Sequence, residues 1–576
     1  MHTFQVWAPI PSNVELQLAD QKLPMTAGSG GWWEARVPSI SSGTDYGFIL
    51  DGEGPFPDPR SQWQPAGVHG LSRRLDHSTF KWTDAGYQAP QLASAVIYEL
   101  HTGTFTAQGT FAAALDKLDH LVELGVTHIE LMPVAAFPGN FGWGYDGVSL
   151  YAPHGAYGEP DDLKRLVDGC HARGLAVLLD VVYNHLGPSG NYLARFGPYF
   201  TSCYSTPWGA AINFDNADSD EVRRFFCDNA LMWLRDYHFD GLRLDAIHAI
   251  VDVSALPFLE QLADEVKQLE ARLSRRFVLI AESDLNAPRV LLPADRGGYG
   301  LDAQWNDDFH HALHAILTGE KNGYYADFGS LADLAKALQQ AFVRDGGYSI
   351  HRRCRLGRPP VGLSGDRFVA CLQNHDQVGN RAQGERTSQL MSLGRLKIGA
   401  ALVCTSPFVP LLFQGEEWGA CTPFLYFADH QKSDLSKAVR EGRQREFAAF
   451  DWKPEEIPDP GSPKTFQCSK LDWSDLFRDP HSALLDWHRQ LIRLRRAEPE
   501  LSAGALTRVQ VRFDELAHWL VVERGPFSVV CNLAAQPQVI PLRGGPHQTL
   551  MVSDPGIAIG LSAVTLPPDS VAILKS

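Results

Sequence analysis

Eight short apolar runs, at 96–100, 128–134, 176–182, 241–246, 277–281, 302–305, 368–372 and 409–413, set the frame for this chain. Most are separated by stretches in which apolar residues recur every three to four positions: 111–124, 161–173, 221–237, 256–273 and 331–342, with 482–496 closing the series. A short β-branched run reads as a buried strand and a 3.6-residue period as a helix with one apolar face. Eight strands alternating with helices predict an α/β fold, a (β/α)8 barrel, whose chemistry is carried at the C-terminal ends of its strands.

At 576 residues the chain is too long for a single core. Before the barrel, Phe4–Trp7, 14–18, 32–37 and 46–50 alternate polar and apolar residues between Gly, Ser and Pro, and 55–87 is rich in turns. After it, 509–513, 517–523, 527–532, 539–542 and 570–574 repeat the pattern. Period two on short segments predicts antiparallel β-sandwiches. The expected division is therefore an N-terminal β-domain at 1–90, the barrel with its loop insertions at 91–502, and a C-terminal β-domain at 503–576.

A net charge of −16 with no Lys/Arg-rich run argues against nucleic acid or an anionic membrane as partner. A neutral sugar polymer fits better. No stretch approaches the ~20 apolar residues of a membrane span, and Met1-His2-Thr3-Phe4 lacks a basic start and apolar core, so a soluble cytoplasmic protein, monomeric or weakly dimeric, is expected. The nine cysteines are scattered without a C-x-x-C pair, which points to reduced packing residues and not to disulfides or zinc.

Three acids stand at strand ends. Asp245 closes Gly241-Leu242-Arg243-Leu244-Asp245, Glu282 follows the run at 277–281, and Asp376 follows Asn374-His375. Residues i and i+2 of a strand share a face, so Arg243 lies beside Asp245 and holds it ionised while Leu242 and Leu244 face apolar packing. Three carboxylates at the mouth of a parallel barrel point to glycosyl chemistry.

Asp180-Val181-Val182-Tyr183-Asn184-His185, Gly241 to His248, Ala281-Glu282-Ser283 and Asn374-His375-Asp376-Gln377 resemble, in order, the four signature segments of the α-amylase superfamily, glycoside hydrolase family 13. The resemblance spans essentially the whole chain, since the N-terminal segment is similar to the carbohydrate-binding-type sandwich that precedes the barrel in branching and debranching members. It implies that Asp245 is the nucleophile, Glu282 the general acid and base, and Asp376 the acid that favours the distorted transition state. It also implies substrate-binding roles for Arg243, His185, His375, Tyr145, Asp180, His248 and Asp308. No cofactor is implied, and without a dense Asp/Asn cluster no metal is expected.

The segments Trp305 to His314, Thr318 to Phe328 and Gln414 to His430 resemble the members that cut the α-1,4 bond next to the terminal trehalose of malto-oligosyltrehalose, leaving a malto-oligosaccharide. Gln414 departs from the Met of many relatives and could alter a subsite. Two other classes stay open: an α-1,4-glucan branching transferase, which shares the scaffold and the acids, and a non-catalytic glucan-binding protein, for which an Arg-paired nucleophile has no use. The i,i+4 pair His310 and His314 lacks accompanying acids and is expected to be structural or substrate-contacting, and Glu416 and Glu417 open a helix without a catalytic role. Among Phe141, Trp143, Tyr145, Tyr151, Trp208 and Trp305, some are expected to stack on glucose rings, with Tyr145 and Asp146 foremost because the family places them at the cleavage point.

Overall fold

In the computed structural model the eight runs close on themselves. Strands β1 (Ile97–Leu100), β2 (His128–Leu131), β3 (Ala176–Val181), β4 (Gly241–Leu244), β5 (Val278–Ala281), β6 (Ala303–Trp305), β7 (Phe368–Cys371) and β8 (Val409–Phe413), numbered within the barrel, form a closed parallel sheet in sequence order. Closure sets Leu411 of β8 opposite Ile97 of β1. The structure describes residues 2–206, 209–430, 433–447 and 457–576. Trp208 lies outside them.

Inside the barrel, Ile97, Leu178, Ile280, Val369 and Leu411 build a dry lower layer, and fully burying such a side chain contributes about 1.5–3 kcal/mol. Above it the lining becomes polar, with Glu99, Glu130 and Arg243 all buried. Leu242 and Leu244 point the other way, into the core under the helices. Gly241 opens β4 because a Cβ there would stand 2.4 Å from the Val278 carbonyl of β5.

The helices fall where the 3.6-residue period places them, at Pro160–His171, Ser219–Asp236, Phe258–Leu273, Leu331–Gln340 and His481–Ala497. The stretch at 111–124 is instead two helices, Phe111–Leu115 and Leu118–Leu124. Periodicity missed Leu393–Thr405, in which every residue from Ile398 to Thr405 is buried. That helix is wedged between His481–Ala497 and the C-terminal strands, so it has no polar face to mark its period. Arg495 and Arg524 cap its end, their guanidiniums donating to the carbonyls of Cys404, Thr405 and Ser406 at 2.7–2.9 Å.

Antiparallel sheets flank the barrel at both ends of the chain. The N-terminal ones contain His2–Trp7, Val14–Leu18, Trp32–Val37 and Asp45–Leu50, and dock through Trp7 on Tyr199 and through Arg60, which reaches Asp228 at 2.8 Å. The C-terminal ones add Gln548–Val552, Ala558–Ile559 and Ala563–Leu566 to the five expected segments. Tyr151 belongs to the docking surface and not to the sugar face: its hydroxyl donates to the Phe225 carbonyl at 2.5 Å and its ring packs on Arg60.

Candidate active site

Register places the acids. Leu244 of β4 pairs with Ala281 of β5, so Asp245 and Glu282 are the next residues on adjacent strands, and the Glu282 amide donates to the Leu244 carbonyl at 3.0 Å. Directly after Asp245 the chain turns at Ala246 with φ 39°, a left-handed conformation that costs a non-glycine residue on the order of 1 kcal/mol or more. The turn aims the Ala246 amide at Glu282, to which it donates at 2.5 Å.

Arg243 is the hub. Its Nη1 donates to Asp245 Oδ1 at 2.9 Å and to Asp180 Oδ2 at 2.7 Å, while Nη2 lies 3.6 Å from Glu282. The guanidinium rests 4.2 Å above the Trp305 ring, which makes Trp305 a support for the arginine. Asn184 completes the grip on Asp245, with Nδ2 at 2.8 Å from both its carbonyl and its carboxylate. Burial, with the charges of Asp245, Asp376 and Asp307 and against that of Arg243, pushes the Glu282 carboxyl well above the usual range. The two carboxyls therefore differ in hydrogen bonding: Asp245 accepts from Arg243 and Asn184, whereas Glu282 accepts from the Ala246 amide and is pushed toward its protonated form.

A second chain of hydrogen bonds runs under the site. His375 sets Nδ1 2.5 Å from Glu99 and Nε2 2.8 Å from the Tyr145 hydroxyl, which donates to Asp180 at 2.5 Å. Both ring nitrogens can donate only if the imidazole is charged. Burial works against that charge, but Asp376 and Glu99 outweigh it and raise His375 to about 9. Asp376 itself is 39% exposed and opens toward the cleft. His185 sits with Nε2 2.9 Å from the Tyr145 carbonyl and Nδ1 against Asn184, and burial lowers its basicity.

The other expected residues divide. His248 lies partly exposed at the rim, 3.8 Å from Asp284, which also pairs with Arg352. Asp308 is held by the protein: its Oδ2 accepts from Asn286, Val343 and Arg344 at 2.6–2.9 Å, so it ties two loops together. Its neighbour Asp307 is partly exposed, and burial, with the charges of Asp284 and Asp376, pushes it up to about 7. Gln414 is likewise internal, bridging the His101 amide and Thr104 at 3.0 Å each. His314 pairs with Glu320, and Glu417 with Tyr98 and His120. Trp143 stacks on Phe424 and donates to Leu425. Among the described residues no group of three or more His, Cys, Asp or Glu is arranged to hold a metal ion.

Glu99, Glu130, Asp307, Asn184 and Arg352 are therefore the polar groups of the site that sequence left without a role. Glu99 and Glu130 had a signal, since each interrupts an apolar barrel strand with a charge. Arg352 had none, because it comes from a distant loop.

The description "Alpha amylase, catalytic domain" matches residues 78–200, and "Domain of unknown function (DUF3459)" matches 504–573. The malto-oligosyltrehalose trehalohydrolase of Rhizobium sp. (strain M-11) is 48% identical over 99% of this chain and 97% of its own length. An alpha-amylase-like protein from Salmonella typhimurium superposes with a TM-score of 0.91 at 40% identity, covering 100% of this chain and 97% of that one. The branching enzyme of Corynebacterium jeikeium is more distant, 30% identical over 72% of this chain and 60% of its own length. With near-complete alignment to a trehalohydrolase and two strand-end acids, Asp245 and Glu282, around a shared arginine, the chain belongs to the malto-oligosyltrehalose trehalohydrolase family of the α-amylase superfamily.

Proposed function

We propose that this enzyme hydrolyses the α-1,4 bond next to the terminal trehalose of malto-oligosyltrehalose, releasing trehalose and a shortened malto-oligosaccharide by double displacement. Asp245 attacks the anomeric carbon while Glu282 gives its proton to the leaving oxygen; Glu282 then takes a proton from water, which releases the sugar from Asp245. Asp376, with Tyr145, His185, His375 and His248, holds the sugar hydroxyls, and Arg243 and Asp180 hold the nucleophile. The observation that carries this reading is the unequal sharing of Arg243, 2.9 Å from Asp245 and 3.6 Å from Glu282. Neighbouring strands run about 4.8 Å apart, close to the ~5–5.5 Å that a retaining pair requires.

The choice of trehalose end is supported by the relatives and by the polar rim of His248, Asp284 and Arg352 beside Glu282. A rim arranged for one disaccharide leaves groups unpaired when another occupies it, at ~1–3 kcal/mol each. Nine free cysteines, five of them buried, fit a reducing cytoplasm, and no helix among the described residues is long and apolar enough to cross a membrane. We take the active unit to be a monomer or weak dimer.

Maltotriosyltrehalose and maltopentaose test the reading, since both hold five glucose units. Two unpaired groups predict kcat/KM favouring the first by ~10²-fold or more, and the newly freed reducing end should be the α anomer by NMR. Comparable rates on the two, or new α-1,6 branches in amylose, would overturn it.

A further inference from the structure

Glu99 holds a single residue by two of its atoms. It stands on β1, two strands from β7 in the closed order; its Oε2 accepts the His375 amide at 2.9 Å, and its Oε1 lies 2.5 Å from Nδ1 of the same histidine. Carboxyl and imidazole are both buried, and a bond this short between them is of the charge-assisted kind. The other ring nitrogen is constrained as well. Tyr145 has one hydroxyl proton and gives it to Asp180 at 2.5 Å, so Nε2, 2.8 Å from that hydroxyl, has to donate. Nε2 also lies 3.4 Å from Asp376 Oδ1.

We propose that Glu99 is a positioning residue for the third acid: by gripping the backbone and the ring of His375 at once, it keeps a charged imidazole with its Nε2–H aimed at the Tyr145 hydroxyl and Asp376. This rests on the hydroxyl-holding role given to Asp376 above. The charged and titratable groups around the ring are Glu99 from β1, His101 just after it, Glu130 from β2, Tyr145 from the loop that follows, Arg243 from β4 and Asp376 itself. Burial first and Arg243 after it oppose the charge, and Asp376 and Glu99 outweigh them to hold His375 at about 9. A neutral amide could keep the shape but not the charge. In Glu99→Gln the amide oxygen would take the His375 backbone proton, which turns the NH2 toward Nδ1 and favours a neutral ring protonated on Nε2.

Glu99→Gln therefore separates charge from shape. At pH 8 an imidazole at about 9 is roughly nine-tenths charged and one at the ordinary 6.5 roughly 3% charged, so kcat/KM on maltotriosyltrehalose should fall about thirtyfold, with a loss that shrinks toward pH 5 as the ring regains its proton. The parent should also show a far-downfield proton resonance from Nδ1–H, missing from Glu99→Gln and from His375→Gln and fading as pH passes about 9. No loss, or a loss of equal size at pH 5 and pH 8 in a variant that unfolds at the parent temperature, would overturn the proposal. So would a parent spectrum that matches His375→Gln in the downfield region from pH 5 to pH 8, a comparison that does not require Glu99→Gln to fold. Failure of the substrate reading is separate: a parent that prefers maltopentaose loses the trehalose specificity, and the two-pH comparison on maltopentaose still decides the role of Glu99.

Discussion

Arg243 donates to Asp245 at 2.9 Å from the same nitrogen that holds Asp180 at 2.7 Å, so one buried cation fixes the carboxyl proposed as the nucleophile. Its other terminal nitrogen comes no closer than 3.6 Å to Glu282. Asp245→Asn, Glu282→Gln and Asp376→Asn are each expected to lower turnover by at least ~10²–10⁴ in a folded protein. The first two separate on a glycosyl fluoride: Glu282→Gln should still form the glycosyl-enzyme and Asp245→Asn should not. Mass spectrometry reads that contrast, and its reversal would exchange the two roles.

His375 makes stability depend on pH. Its folded value of about 9 lies above the ordinary 6.5, because Asp376 and Glu99 overcome burial. A raised histidine stabilises the fold fully below about 6.5, and the contribution is lost as pH rises through about 9. Urea unfolding of the parent should therefore weaken across that window. His375→Gln should flatten the decline; a slope as steep as the parent's would place the titration elsewhere.

Glu130 has the opposite chemistry. It pairs in register with Glu99, neither of its carboxyl oxygens has a hydrogen-bond partner among the described residues, and burial first and Glu99 second push it well above the carboxylate range. An acid kept neutral in the fold binds a proton that the unfolded chain gives up, so stability falls as pH rises above the unfolded value. Glu130→Gln should remove that slope, with urea midpoints gaining on the parent from pH 5 to pH 8. A gain that does not grow with pH would refute the buried-proton account.

Catalysis should survive exhaustive chelation. Asn184 is the residue of the site best suited to hold a cation, but its amide nitrogen is spent on Asp245 and its oxygen is occupied by His185. Activity that collapsed with chelator and returned with calcium would show that these bonds rearrange around an ion.

Local spacing already carried the eight strands, the acids at their ends and the i,i+2 relation of Arg243 to Asp245, because strand period and strand-end position are properties of neighbouring residues. Tertiary structure decided what closure alone can set. His375 meets Glu99 across 276 positions because β8 returns to β1 and brings the two ends of the barrel together. Asp308 is filled by donors from two other loops while Asp307 stays partly exposed, and two adjacent aspartates look alike in a sequence. The helix Leu393–Thr405 was hidden for the converse reason: packed on every side, it shows no polar stripe from which a period can be read.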